Sequence, residues 1–63
     1  MKYNYLYLDF YNERGIRENS YCTSFIVPFD IDGEQRAYRN AANRKQKVLS
    51  EHRGWTARQY IGD

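Results

Sequence analysis

The chain reads as an α+β domain: a small two- or three-stranded antiparallel sheet packed by one long amphipathic helix, in the order ββα or ββαβ. Three observations predict it. The N-terminal half alternates aromatic and aliphatic residues at period two. Residues 34–52 repeat apolar positions at helical spacing instead. Between them stands Asp30-Ile31-Asp32-Gly33-Glu34, a segment of turn and cap residues.

Lys2 to Asn12 is the first expected strand. Leu6, Leu8 and Phe10 fall on one face, and Tyr3, Tyr5, Tyr7 and Tyr11 on the other. Glu13 to Asn19, with Gly15 inside it, supplies a hairpin loop. A second strand is expected from about Ser20 to Phe29, with Tyr21, Thr23, Phe25, Val27 and Phe29 on one face and Cys22, Ser24 and Ile26 on the other. Pro28 belongs near its end or on an edge, because proline cannot donate to a ladder.

Asp32 and Gln35 form a loose capping box for a helix over 34–52. Its apolar or stem-burying stripe comprises Tyr38, Ala41, Ala42, Lys45, Val48, Leu49 and His52, and Gly54 supplies the stop. Residues 55–61 fit either a short helix capped by Thr56 or a third strand with Trp55, Ala57 and Ile61 inward. The strand is preferred, because a hairpin covered by one helix has a thin core. Val48 to Ile61 also loosely resembles a helix-turn-helix, with Gly54 at the turn. Arg53, where that motif expects an apolar residue, argues against it.

Size and composition set the expected class. Sixty-three residues make one small domain, 1–63, which buries only about 60% of its unfolded surface. Cys22 is the lone cysteine and His52 the lone histidine, so an internal disulfide is excluded and a zinc site lacks ligands. Seven Tyr, three Phe and one Trp must carry the packing, and the marginal core predicts a homodimer or a tight complex. With a free thiol and no signal-peptide core or membrane span, the expectation is a complete cytoplasmic gene product.

Charge is unevenly placed. Residues 1–34 sum to −3 and residues 35–60 to +6, on a chain of net +2. No acid occurs between Gln35 and Ser50, and one side of the helix should carry Arg36, Arg39, Asn43, Arg44 and Lys47. Arg and Asn form forked hydrogen bonds to phosphates and base edges, so this side is a candidate RNA or DNA contact. Its plain alternative is a solvated helix face.

The second candidate surface is Tyr3, Tyr5, Tyr7 and Tyr11. One helix covers only one side of a small sheet, and an uncovered aromatic side is an interface in the making. The acids at 30–34 share part of a calcium-loop pattern, but Ala41 stands where the closing Glu should be. Helix capping explains them better. Cys22 and His52 lack the cleft and orienting groups of a catalytic pair, with Cys22 expected to be a buried structural thiol.

No enzyme, metal or cofactor is therefore expected. The expected function is a non-catalytic inhibitor or adaptor of the virus or mobile-element, anti-defence type. Its partner would be a protein of a nucleic-acid-processing complex, met through the tyrosines and basic side chains. The alternative is an RNA- or DNA-binding module using the basic helix.

Overall fold

A computed structural model of the protein describes residues 2–27 and 30–62. Four elements follow in order: β1 (Lys2–Tyr11), β2 (Arg17–Val27), α1 (Ile31–Glu51) and β3 (Thr56–Gly62). The strands form one antiparallel sheet in the order β2-β1-β3, and α1 lies across one of its faces. The fold is α+β in ββαβ order.

β1 sits centrally because its alternation gives it two useful faces. Leu6, Leu8 and Phe10 are almost wholly buried under the helix, joined by Phe25 from β2 and by Ala37, Ala41 and Val48 from α1. Tyr21, Leu49, Trp55 and Ala57 close the rim of this core. Tyr7 stands opposite Cys22 on β2 and Tyr60 on β3, so the odd-numbered residues of β1 share the sheet's other face with these partners.

The hairpin between β1 and β2 is tighter than Glu13–Asn19. The Asn12 carbonyl accepts from Gly15 N–H and the Asn12 N–H donates to the Ile16 carbonyl, both at 2.9 Å. Asn12 Oδ1 also accepts from the N–H groups of Arg14 (2.8 Å) and Ile16 (3.1 Å). Gly15 takes φ +80°, the left-handed residue that a three-residue hairpin loop requires. β2 can therefore begin at Arg17 rather than Ser20. The pairing skips Glu18, a bulge opposite the Phe10–Tyr11 step. Pro28 and Phe29, assigned from the pattern to the end of β2, lie outside the described residues.

The helix begins three residues earlier than its apolar pattern. Asp30, not Asp32, is the N-cap: its Oδ1 accepts from Gly33 N–H at 3.0 Å. That leaves Asp32 and Glu34 in the first turn, where the helix dipole favours them.

The buried side of α1 also differs from the expected stripe. Ala37, Ala41 and Val48 face the sheet, while Tyr38, Ala42, Lys45 and His52 are exposed. A helix lying close to a sheet needs small residues at the contact, and Ala37 and Ala41 supply them. His52 closes the helix with its N–H on the Val48 carbonyl, and its ring stacks on Trp55 with centroids 3.8 Å apart. Gly54, at φ +86°, serves the turn after the helix rather than the cap itself, and Trp55 N–H returns to the His52 carbonyl at 3.2 Å.

Residues 56–62 form a strand, which removes the helix-turn-helix alternative. Trp55 and Ala57 pack on the core, as the strand pattern requires. Ile61 pairs with Leu6 but stays 45% exposed. No helix among the described residues is long and apolar enough to cross a membrane.

Candidate functional site

The sheet face turned away from α1 has no covering element among the described residues. β1 brings Tyr3, Tyr5, Tyr7, Asp9 and Tyr11 to it. β2 contributes Arg17, Ser20, Cys22, Ser24 and Ile26, and β3 contributes Thr56, Arg58, Tyr60 and Gly62. The four tyrosines of the sequence pattern share this face as expected from period two.

Tyr60 extends the row across strands. Its ring stacks on Tyr7 with centroids 5.1 Å apart and planes 20° off parallel. Tyr7 in turn lies 6.2 Å from Tyr5. The Arg58 guanidinium carbon sits 5.3 Å from the Tyr60 ring centre, a cation–π distance. Gly62 leaves room for this packing: a Cβ there would come within 2.9 Å of Tyr7 Cε2. An aromatic ring laid over a glycine on a neighbouring strand shields backbone that would otherwise be bare.

Asp9 anchors the ladder. It faces the same side as the tyrosines, yet is only 6% exposed. Tyr60 Oη donates to Asp9 Oδ2 at 3.0 Å. That hydrogen bond, with desolvation and the carboxylate's charge behind it, holds the Tyr60 phenol above its ordinary value of 10.0, against an opposing pull from Arg17.

The rings therefore form a ladder more than a platform. Tyr7 and Tyr60 each use one face on the other, Arg58 lies over the Tyr60 ring, and the Tyr60 hydroxyl is engaged by Asp9. Such a surface combines apolar area with polar tips, the combination enriched at protein interfaces. Base-stacking platforms need free ring faces, and this ladder keeps fewer of them.

The basic residues lie elsewhere. Arg36, Arg39, Asn43, Arg44 and Lys47 are all exposed on α1, on the opposite side of the sheet from the tyrosines. One flat partner cannot meet both sets, so the combined surface expected from the sequence is split in two. Arg44 turns toward β2, its guanidinium carbon 4.8 Å from the centre of the Tyr21 ring. Together with Asn40, Asn43 and Lys47, these two line a shallow cleft between α1 and β2. The positive charge on the tyrosine side comes instead from Arg17 and Arg58.

Sequence reasoning missed Tyr60, Arg58 and Arg17 as members of the tyrosine face, because their positions depend on strand register. It also placed Cys22 wrongly. The thiol is exposed, opposite Tyr7 on the open face, since β2 is an edge strand and nothing among the described residues covers that side.

Among the described residues, no three His, Cys, Asp or Glu side chains gather as a metal site. Comparison with protein-family models, curated proteins and solved structures finds no match to this chain.

Proposed function

We propose that the protein is a non-catalytic inhibitor or adaptor that binds a protein of a nucleic-acid-processing complex through its open tyrosine face. The observation that carries this reading is the uncovered ladder of Tyr5, Tyr7 and Tyr60 on the sheet side opposite α1. An aromatic surface of this kind loses water favourably only when a second surface covers it. Its rim is polar, with Arg17, Arg58, Ser20 and Ser24, as a protein interface requires. The basic helix on the other side fits a partner that works on polyanions. Small size and a single α+β layer pair recommend the virus or mobile-element, anti-defence class, by analogy of architecture alone.

The test is affinity capture from host lysate, with nuclease present, comparing the native chain with Tyr5→Ser/Tyr7→Ser. A discrete protein that survives nuclease and is lost with the double variant is the expected result. Tyr3→Ser, at the most exposed of the tyrosines, should weaken capture without touching the ladder. Undiminished capture by a double variant whose circular dichroism is native would refute the tyrosine face as the contact.

A further inference from the structure

The cleft between α1 and β2 lies on the helix side of the sheet, away from the tyrosine ladder. It measures about 350 Å³ and is lined by Tyr21, Asn40, Asn43, Arg44 and Lys47. Two of these five side chains are cationic, two are amides, and none is acidic. The nearest acid C-terminal to them on the helix is Glu51, one turn beyond Lys47. The lining therefore carries no counter-charge of its own, and an anion would supply it.

The remaining groups say which anion. Asn side chains offer a donor and an acceptor side by side, the pairing that reads a base edge, while Arg and Lys meet phosphate. Tyr21 is half-buried against the core and so held in place, with the Arg44 guanidinium over its ring. The Arg44 guanidinium covers the open face of that ring, so the plane left for a base to stack on is the guanidinium itself. The volume is at the low end of small-molecule sites, roughly 300–1,000 Å³. That suits a single nucleotide unit and is far too small for a duplex.

We infer that this cleft holds one nucleotide of a single-stranded nucleic acid. Lys47 meets the phosphate, Asn40 and Asn43 the base edge, and the Arg44 guanidinium, held over Tyr21, the base face. The site is separate from the proposed protein interface and does not depend on it.

The experiment is fluorescence anisotropy with a short fluorescein-labelled single-stranded oligonucleotide at low salt, with duplex of the same sequence, a mononucleotide and inorganic phosphate as competitors. The single strand should bind, and its affinity should fall with salt at a log–log slope of about −0.7, as one neutralised phosphate gives. Arg44→Gln/Lys47→Gln, both at exposed positions, should weaken binding at least about tenfold and flatten that slope. Asn43→Ala should weaken it without changing the slope, and Tyr5→Ser/Tyr7→Ser should leave it unchanged. The mononucleotide should compete better than phosphate.

Three results would overturn the assignment. One is full affinity in a folded Arg44→Gln/Lys47→Gln variant. Another is duplex competing as well as single strand, which would reduce the effect to general surface charge. The third is phosphate competing as well as the mononucleotide, which would remove the base from the site.

Discussion

Tyr60 and Asp9, 51 residues apart in sequence, share a hydrogen bond of 3.0 Å that ties the last strand to the first on the open side of the sheet. The carboxylate is buried and the phenol is its partner, so each holds the other in one geometry. Repulsion enters this contact only when the phenol ionises, because the donated proton is then lost and two anions face each other.

Tyr60 should accordingly titrate above the ordinary tyrosine value, with the Asp9 hydrogen bond as the leading cause. A folded pKa raised above the unfolded one gives stability that is complete below the unfolded pKa and lost as pH rises through the folded one. The loss therefore belongs to the alkaline range above the ordinary value of 10.0. Ultraviolet titration of the native chain minus Tyr60→Phe isolates this phenol. Asp9→Asn should bring it down toward the ordinary value, and an unmoved titration in that variant would show that the carboxylate is not the cause.

Neighbouring alanines on the helix separate the observed packing from the one the apolar pattern suggested. Ala41 is fully buried against the sheet and Ala42 is exposed. Ala41→Leu should cost about 1–3 kcal/mol by overpacking. Ala42→Leu should stay within about 0.5 kcal/mol of the native chain. Urea unfolding of both variants checks the pair, and equal effects would mean that α1 is rotated from the position described.

At the start of α1, Asp30 and Gly33 depend on each other. The three atoms nearest to a Cβ built on Gly33 all belong to the Asp30 carboxyl, so alanine there evicts the cap. Asp30→Ala alone should cost about 1 kcal/mol. Gly33→Ala should gain nothing in the native chain, yet stabilise the Asp30→Ala background by up to about 1 kcal/mol through helix propensity. A double-mutant cycle by thermal unfolding measures this coupling, and equal effects in both backgrounds would remove it.

Cys22 offers a chemical probe of the open face. Its thiol is exposed opposite Tyr7, so a maleimide should label the native protein without unfolding it. Labelling rates that rise only through the urea transition would contradict this placement. A bulky label should also abolish protein capture while leaving oligonucleotide binding intact.

Much of the fold was legible because it rests on periodicity. The alternation of Leu6, Leu8 and Phe10 against the tyrosines carries both its core and its open face, and Val48 and Ala41 mark the helix. Boundaries were less legible because they rest on single hydrogen bonds. Asn12 closes the hairpin with its side chain, and Asp30 caps the helix at a position the apolar stripe does not reach. The basic residues were visible as a run, but their separation from the tyrosines was not. Only the layer order of the fold sets Arg44 and Tyr7 on opposite sides. Tyr60 and Arg58 were hidden for a further reason: which residue of β3 lies beside Tyr7 is fixed by pairing across the sheet.

The central place of β1 also sets an order of assembly. Its pairing with β2 closes a loop of a few residues, an event of microseconds in isolated hairpins. Its pairing with β3 brings Gly62 to Tyr5 and must wait for the helix between them. Fluorescence of Trp55, at the entry to β3, should therefore change after the helical signal has formed. Until that last step Asp9 has no phenol and Tyr7 no stacking partner. A chain cut before its final strand would carry the tyrosines of β1 without the Tyr7–Tyr60 stack and without the Tyr60–Asp9 hydrogen bond.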